Sequence, residues 1–280
     1  MNVNQIKNSN DAVAGVVVAI LLLGLFVTVL GVIQTMYVPK WMKQIESEHM
    51  DEVAGQFAQL KYAIDTQSTI QKKGTIATSI TLGSSELPFL PSSKAFGSLF
   101  ILSDECNVTV TSSIDPTFHC SLGTIKYSSK NSYFLDKSYI FEAGALIASQ
   151  SEGNIMLIRP FSVTNENGLI SASFSITNIS GEGGKTSAGG YGVYPIQTEY
   201  LSNKTTILHG VTSITITSDY PNAWHKAFNS TLVESAGLIY SHHFLISNNS
   251  NEVTITFIGV TVNLTIAVTK IDAQIAIGWI

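Results

Sequence analysis

From Ala12 to Pro39 the chain carries no charged residue, and Val13–Ile33 is almost entirely Val, Leu, Ile, Ala, Gly and Phe. A helix needs about 20 such residues to cross the hydrocarbon core of a bilayer. A cleaved secretory signal has an apolar stretch of only about 7–15 residues, followed by a small-residue cleavage site. Here Thr28-Val29-Leu30-Gly31-Val32 simply continues the run. The expectation is a single-pass anchor over Val13–Ile33, with the core helix of a soluble protein as the competing reading. Tyr37 and Trp41 follow the run, where amphipathic rings favour the membrane–water interface.

Orientation is argued from two sides. Lys40 and Lys43 follow the span while Lys7 alone precedes it, balanced by Asp11; that count would place the C-terminal side in the cytoplasm. Low charge, a cysteine pair and six glycosylation sequons (Asn107, Asn178, Asn203, Asn229, Asn248 and Asn263) point outward. The expectation is an extracytoplasmic C-terminal domain. Charged residues make up 12% of the chain, against a usual soluble share of roughly 25%. Fifteen basic against twenty acidic residues leave a net charge of −5, with no basic stripe to neutralise phosphates. Nucleic acid is therefore not an expected partner.

After Pro39 a second helical pattern begins. Met42, Ile45, His49, Val53, Phe57, Leu60 and Ile64 recur at steps of three and four, which marks one face of a helix. Glu46, Glu48, Asp51 and Glu52 read as its solvated side. Pro39 suits the first turn of this helix and marks a possible kink. The stripe must pack on the chain's own domain or on a second subunit, and the sequence leaves both open. Met42, Ile45, Val53, Phe57, Leu60 and Ile64 are the candidate assembly surface.

Beyond about residue 74 the texture turns to β. Short apolar or alternating runs cover 75–82, 98–102, 108–112, 124–128, 139–147 and 155–158. Leu169–Ile179 alternates clearly, with Ile170, Ala172, Phe174 and Ile176 on one face, and 211–217 and 253–268 do the same. One helix interrupts: Asp219 is placed to cap it, Pro221 to enter its first turn, and Trp224, Phe228, Leu232 and Ala236 to form its buried stripe before Gly237. The fold class expected is α+β: a long N-terminal helix followed by a mainly antiparallel, β-rich domain with one packed helix. The boundaries drawn are 1–38 for tail and span, 39–70 for the amphipathic stalk, and 71–280 for the β-rich domain, with a subdivision near 210 left open.

Candidate chemistry is sparse. Cys106 and Cys120 flank Ile114-Asp115-Pro116-Thr117, where two extended runs read as a hairpin that brings the thiols into bridging range. A disulfide is the favoured reading and two buried small hydrophobes the alternative. Gly181-Glu182-Gly183-Gly184-Lys185-Thr186-Ser187 has a phosphate-loop look, but the position five before Gly184 is Ile179 and no helix follows. His242 and His243 read as neighbours in a strand, facing opposite sides. His119 with Cys106 and Cys120 lacks a fourth metal ligand, and no serine-nucleophile motif is present. Asp219 and His225 read as a cap and a surface histidine. No catalytic, cofactor or metal residue is assigned, and an enzyme is not expected.

An apolar N-terminal helix, an amphipathic extension and a β-rich domain together make the plan of type IV pilins. Residues 32–41 (VIQTMYVPKW), Glu46, Glu48-His49 and Phe57-Ala58-Gln59-Leu60-Lys61 resemble a set of archaeal type IV pilin-like surface proteins. The stretches 141–147 (FEAGALI), 158–162 (IRPFS), 218–224 (SDYPNAW) and 228–232 (FNSTL) are similar to the same set. The resemblance implies export by the pilin route, a cytoplasmic N-terminus, a glycosylated outer domain, and self-association or pilin-like partners. The chain departs from the pilin pattern in two places. Lys7 is followed by Asn8-Ser9-Asn10-Asp11 rather than directly by a small residue, and Val13–Ile20 contains no glutamate. Without cleavage the helix would remain in the bilayer as an anchor.

Overall fold

A computed structural model of the chain describes residues 3–88, 93–166, 169–181 and 184–275. Helix runs from Val3 to Ile70: α1 (Val3–Val32), a π-helical turn (Ile33–Tyr37) and α2 (Val38–Ile70). Proline lacks an N–H, so Pro39 cannot bond the carbonyl one turn back. The turn widens just before it, with the Val38 N–H donating to the Ile33 carbonyl five residues earlier. Pro39 is thus absorbed at the start of α2, and the two predicted helices form one rod about 100 Å long at 1.5 Å per residue. Gln71, in the left-handed region at φ 52°, ends it.

Among the described residues fourteen strands follow. β1 (Thr75–Thr81), β7 (Phe161–Glu166), β8 (Leu169–Ser180), β10 (Val193–Leu208) and β14 (Thr261–Ile275) form one sheet in the order β1-β10-β14-β8-β7. The larger sheet is built from β2 (Phe96–Ser112), β3 (Phe118–Lys130), β4 (Lys137–Glu142), β5 (Ala145–Gln150), β6 (Gly153–Ile158), β11 (Val211–Thr217), β12 (Phe244–Asn248) and β13 (Glu252–Phe257). Its order is β12-β13-β11-β2-β3-β4-β5-β6, with β9 (Ser187–Gly190) paired beside β2. Pairing is antiparallel throughout except between β14 and β8. α3 (Pro221–Ser230) packs against β6 at one end of the larger sheet and against β12 and β13 at the other, so it spans the open side of that sheet. The expected α+β class and mainly antiparallel domain are what the chain forms. Strands from before and after residue 210 pair in both sheets, so the chain does not divide there.

The long strands change the face they bury partway along. In β2, Leu99 and Ile101 face a core beneath α2, whereas Cys106, Val108 and Val110 face the core around α3. The switch coincides with a register irregularity between Leu102 and Cys106. β14 behaves alike, with Val262, Leu264 and Ile266 on one core and Ile271, Ala273 and Ile275 on the other. In β8 the even-numbered set Ile170–Ile176 gives way to Ile179. At the crossing, β3 has Gly123. A Cβ there would lie 2.1 Å from the Ile179 carbonyl oxygen, so only glycine fits.

Several local expectations are corrected. Residues 139–147 form not one strand but the β4–β5 hairpin, turned by Ala143 (φ 50°) and Gly144 (φ 83°), and 253–268 splits between β13 and β14 at Gly259. The 180–192 segment contains β9, and its Glu182 and Gly183 lie outside the described residues. His242 and His243 occupy a turn preceding β12 rather than a strand. Tyr220, not Asp219, holds the N-cap position of α3, where the Ser218 hydroxyl accepts the Tyr220 N–H. Trp224, Phe228, Leu232 and Ala236 are buried as the spacing requires.

Candidate functional site

The functional feature that dominates the surface is α1 itself. Its apolar side chains from Val13 to Val32 are exposed: Leu21 is 67% exposed and Phe26 60%. The most apolar window reaches a mean hydropathy of 3.1, with none of it buried, so this helix is long and apolar enough to cross a membrane. A core helix of a soluble domain would be covered by its own chain, and this one is not. Tyr37 and Trp41 pack against each other just beyond it, their ring centroids 5.8 Å apart. Thr28 and Thr35 return their hydroxyls to the Gly24 and Gly31 carbonyls one turn back, so their polar atoms are satisfied within the helix.

The second half of the rod is fastened to the β domain along its length. Met42, Val53, Phe57, Leu60 and Ile64 are buried; the last four join Ile80, Leu99, Tyr127 and Phe141 in the core under α2. Ile45 is half-buried. The stripe is therefore consumed by the chain's own domain, which resolves the alternative left by the sequence and removes it as a free assembly surface. Polar side chains add fixed points. Gln56 donates to the Thr81 hydroxyl and accepts the Thr81 N–H, and the Gln67 amide donates to the carbonyls of Gly74 and Thr198. Tyr139 donates to the Met50 carbonyl at 3.0 Å. His49 shares its Nε2 between the Tyr127 hydroxyl (3.1 Å) and the Leu82 carbonyl (3.3 Å), and burial holds its imidazole below the ordinary 6.5.

Glu46, expected on the solvated side of the helix, is a further correction. It is fully buried, and its carboxylate accepts the backbone N–H groups of Ser132, Tyr133 and Phe134 at 2.6–2.9 Å. These three charge-assisted bonds hold the β3–β4 loop against the helix. The signal was present in the spacing: Glu46 lies four residues after Met42 and four before Met50, in the buried row rather than on the acidic face.

A second buried carboxyl sits in the other core. Glu142, at the end of β4, accepts the Ser218 hydroxyl at 2.6 Å and the Trp224 indole N–H at 2.8 Å. Burial pushes it up to about 6 despite these two donors, which pull the other way. Cys106 is beside it, its thiol pushed well up by burial and by the Glu142 carboxylate. The expected disulfide is not formed: Cys106 and Cys120 are both free thiols. The β2–β3 hairpin does form, but it pairs Cys106 with Leu122 and Cys120 with Val108, so the two thiols meet only on the diagonal. Cys106 is one of the two buried small hydrophobes of the alternative reading, and Cys120 is half-buried.

The remaining predicted residues scatter. His119 bonds the Thr109 hydroxyl at 3.0 Å, and His209 pairs with Asp115 at 3.2 Å, stapling two exposed turns. Among the described residues no group of three His, Cys, Asp or Glu is placed to hold a metal ion. Of the sequons, Asn229 and Asn248 are exposed and Asn107, Asn203 and Asn263 half-buried. The Asn178 side chain is engaged, accepting the Gly123 N–H and donating to the Ser121 carbonyl, both at 3.2 Å. A glycan on that nitrogen would break this clasp. A cleft of about 460 Å³ opens between α2 and the smaller sheet, lined by Lys61, Asp65, Arg159, Ser175, Thr177 and Asn203. Lys61 is ion-paired to Asp65 there.

Comparison with known proteins gives one result. No curated protein and no solved structure matches the chain. A family match extends from residue 12 to residue 274, which takes in both the exposed helix and the β domain. The chain belongs to the family described as Family of unknown function (DUF7289).

Proposed function

We propose that the protein is a pilin-like, membrane-anchored cell-surface protein with a structural or adhesive role, held in the bilayer by Val13–Ile33 and carrying its β domain outside the cell. The observation that supports this reading is the contrast within one rod: Val13–Val32 is exposed, while α2 is built into the domain. A helix of this apolarity needs lipid or other helices around it. Small residues Ala14, Gly15, Ala19, Gly24 and Gly31 on α1 allow close approach of a neighbouring helix, the packing a filament core would use. The archaeal pilin resemblance belongs to this proposal, as do the glycosylation and the adhesive role.

A second reading is a monomeric anchored module that binds a glycan or a surface-layer partner. The burial of the Met42–Ile64 stripe within one chain favours it, because that stripe is not free for a neighbour. Shearing intact cells and reading this protein's N-terminal peptide by mass spectrometry in the released filaments and in the membranes separates the two. A trimmed N-terminus in sheared filaments supports the filament subunit. Recovery only in membranes with the N-terminus untrimmed supports the fixed anchor.

A further inference from the structure

The anchor reading leaves open how far the β domain stands from the lipid. The uncharged stretch Ala12–Pro39 spans about 42 Å at 1.5 Å per residue, which matches the full thickness of a bilayer with its headgroups, about 40–45 Å. With Val13–Ile33 across the hydrocarbon core at about 31 Å, residues 34–39 lie in one headgroup layer and Ile33 at its inner edge. On one flank of that turn Tyr37 is 50% exposed and, one turn on, Trp41 is 42% exposed. On the other flank Val38 is 1% exposed, Met42 is fully buried, and Ile33 is already half-buried. Protein thus covers the helix at the depth where headgroups would otherwise surround it. The hairpin β3–β4 points the same way. Tyr139 meets α2 at Met50, and the loop beyond it, Ser132–Phe134, meets α2 at Glu46, four residues nearer the span. Leu135 projects from that loop 51% exposed.

We propose that the β domain rests on the bilayer that α1 crosses, with the flank covering Ile33, Val38 and Met42 set into the headgroup layer and the Glu46-bound loop 131–136 as a second lipid contact beside the anchor. The partner is the phospholipid headgroup layer itself. The inference rests on the anchor reading of α1 but goes beyond it: an anchor alone would permit a domain held clear of the surface on a stalk. Here there is no free stalk, because the domain's cover begins where the apolar run ends. Fixed at the helix by Glu46 and at the surface by the loop, the domain would present one set face outward, with the cleft beside Lys61 and Asp65 about 33–39 Å and the end of α2 about 46 Å above the lipid.

The test uses the full chain in phospholipid nanodiscs, with a single environment-sensitive fluorophore on an introduced cysteine. Cys120→Ser removes the accessible native thiol, and Cys106 is fully buried. Labels go on Leu135→Cys, on Tyr62→Cys (74% exposed, toward the far end of α2), and on Leu22→Cys within the span. Lipids carrying a nitroxide in the headgroup or in the acyl chain act as quenchers. The expected result is loss of emission at 135 with headgroup nitroxide, loss at 22 with acyl-chain nitroxide, and no loss at 62. Quenching at 22 with 135 as bright as 62 would overturn the docking while leaving the anchor intact. No quenching at 22 would overturn the anchor and the docking with it.

Discussion

The Glu142 carboxyl, raised by burial to about 6, binds its proton more tightly in the folded chain than in the unfolded one, where the ordinary value is 4.5. Between those values the folded state holds more proton, so this group's contribution to stability is greatest below pH 4.5 and falls as pH rises through 6. The shift corresponds to about 2 kcal/mol. Glu142→Gln keeps the acceptor for Trp224 and Ser218 but cannot ionise. The difference in unfolding free energy between wild type and this variant is expected to move in the variant's favour by about that amount from pH 4 to 7. A flat difference would mean that Glu142 titrates normally. His49 pulls the other way, because its lowered value costs stability as pH falls, and the difference profile separates the two. At Glu46, replacement by Ala removes the acceptor of three N–H groups and is expected to cost about 3 kcal/mol in chemical denaturation. Single residues were the least legible scale in the sequence. An acidic residue in a run of acids looks solvated even where its spacing from Met42 and Met50 puts it in the buried row, because the loop amides that satisfy Glu46 are distant in sequence.

At the scale of elements, α2 and the strands were readable where one face stays buried and obscure where it changes. The Met42–Ile64 stripe and the even-numbered set of β8 follow a single period, and the structure buries them. β2 and β14 shift phase midway, so their inward residues look like two unrelated runs. β10, paired with β14 over most of its length and with β1 only over Val193–Glu199, buries Ile196, Thr198 and Tyr200 in alternation and then only Leu208, too short a pattern to stand out in the sequence. Turns were missed for a like reason: Ala143-Gly144 interrupts an apolar run without Asn or Pro to announce it. The phase change has a testable hinge. Gly123→Ala pushes a methyl into the Ile179 carbonyl and should lower stability by several kcal/mol or prevent folding, measured as the loss of a cooperative thermal transition. Phe57→Ala empties the centre of the α2 core, where Phe57 meets Tyr127 and Tyr139, and should cost about 3–5 kcal/mol. If Phe57→Ala melts like wild type, α2 is not part of the domain's core; if Gly123→Ala does, the strands do not cross as closely as the structure has them.

At the scale of the molecule, one helix belongs to two environments. Val13–Val32 is apolar and exposed, while the half from Val38 has every apolar stripe residue but Ile45 closed over by the chain's own β domain. The division was legible in composition, because charge is absent from Ala12 to Pro39 and frequent from Lys40 onward. What the second half packs against was not, since a stripe shows that a partner exists without naming it. The most direct measurement compares the full chain with residues 38–280 expressed in the same cells, following extraction of membranes at alkaline pH and the thermal transition of the shorter chain. The account predicts that the full chain resists extraction while residues 38–280 are recovered soluble and monomeric, with a cooperative transition. A full chain that washes off the membrane, or a shorter chain that unfolds without α1, would contradict it.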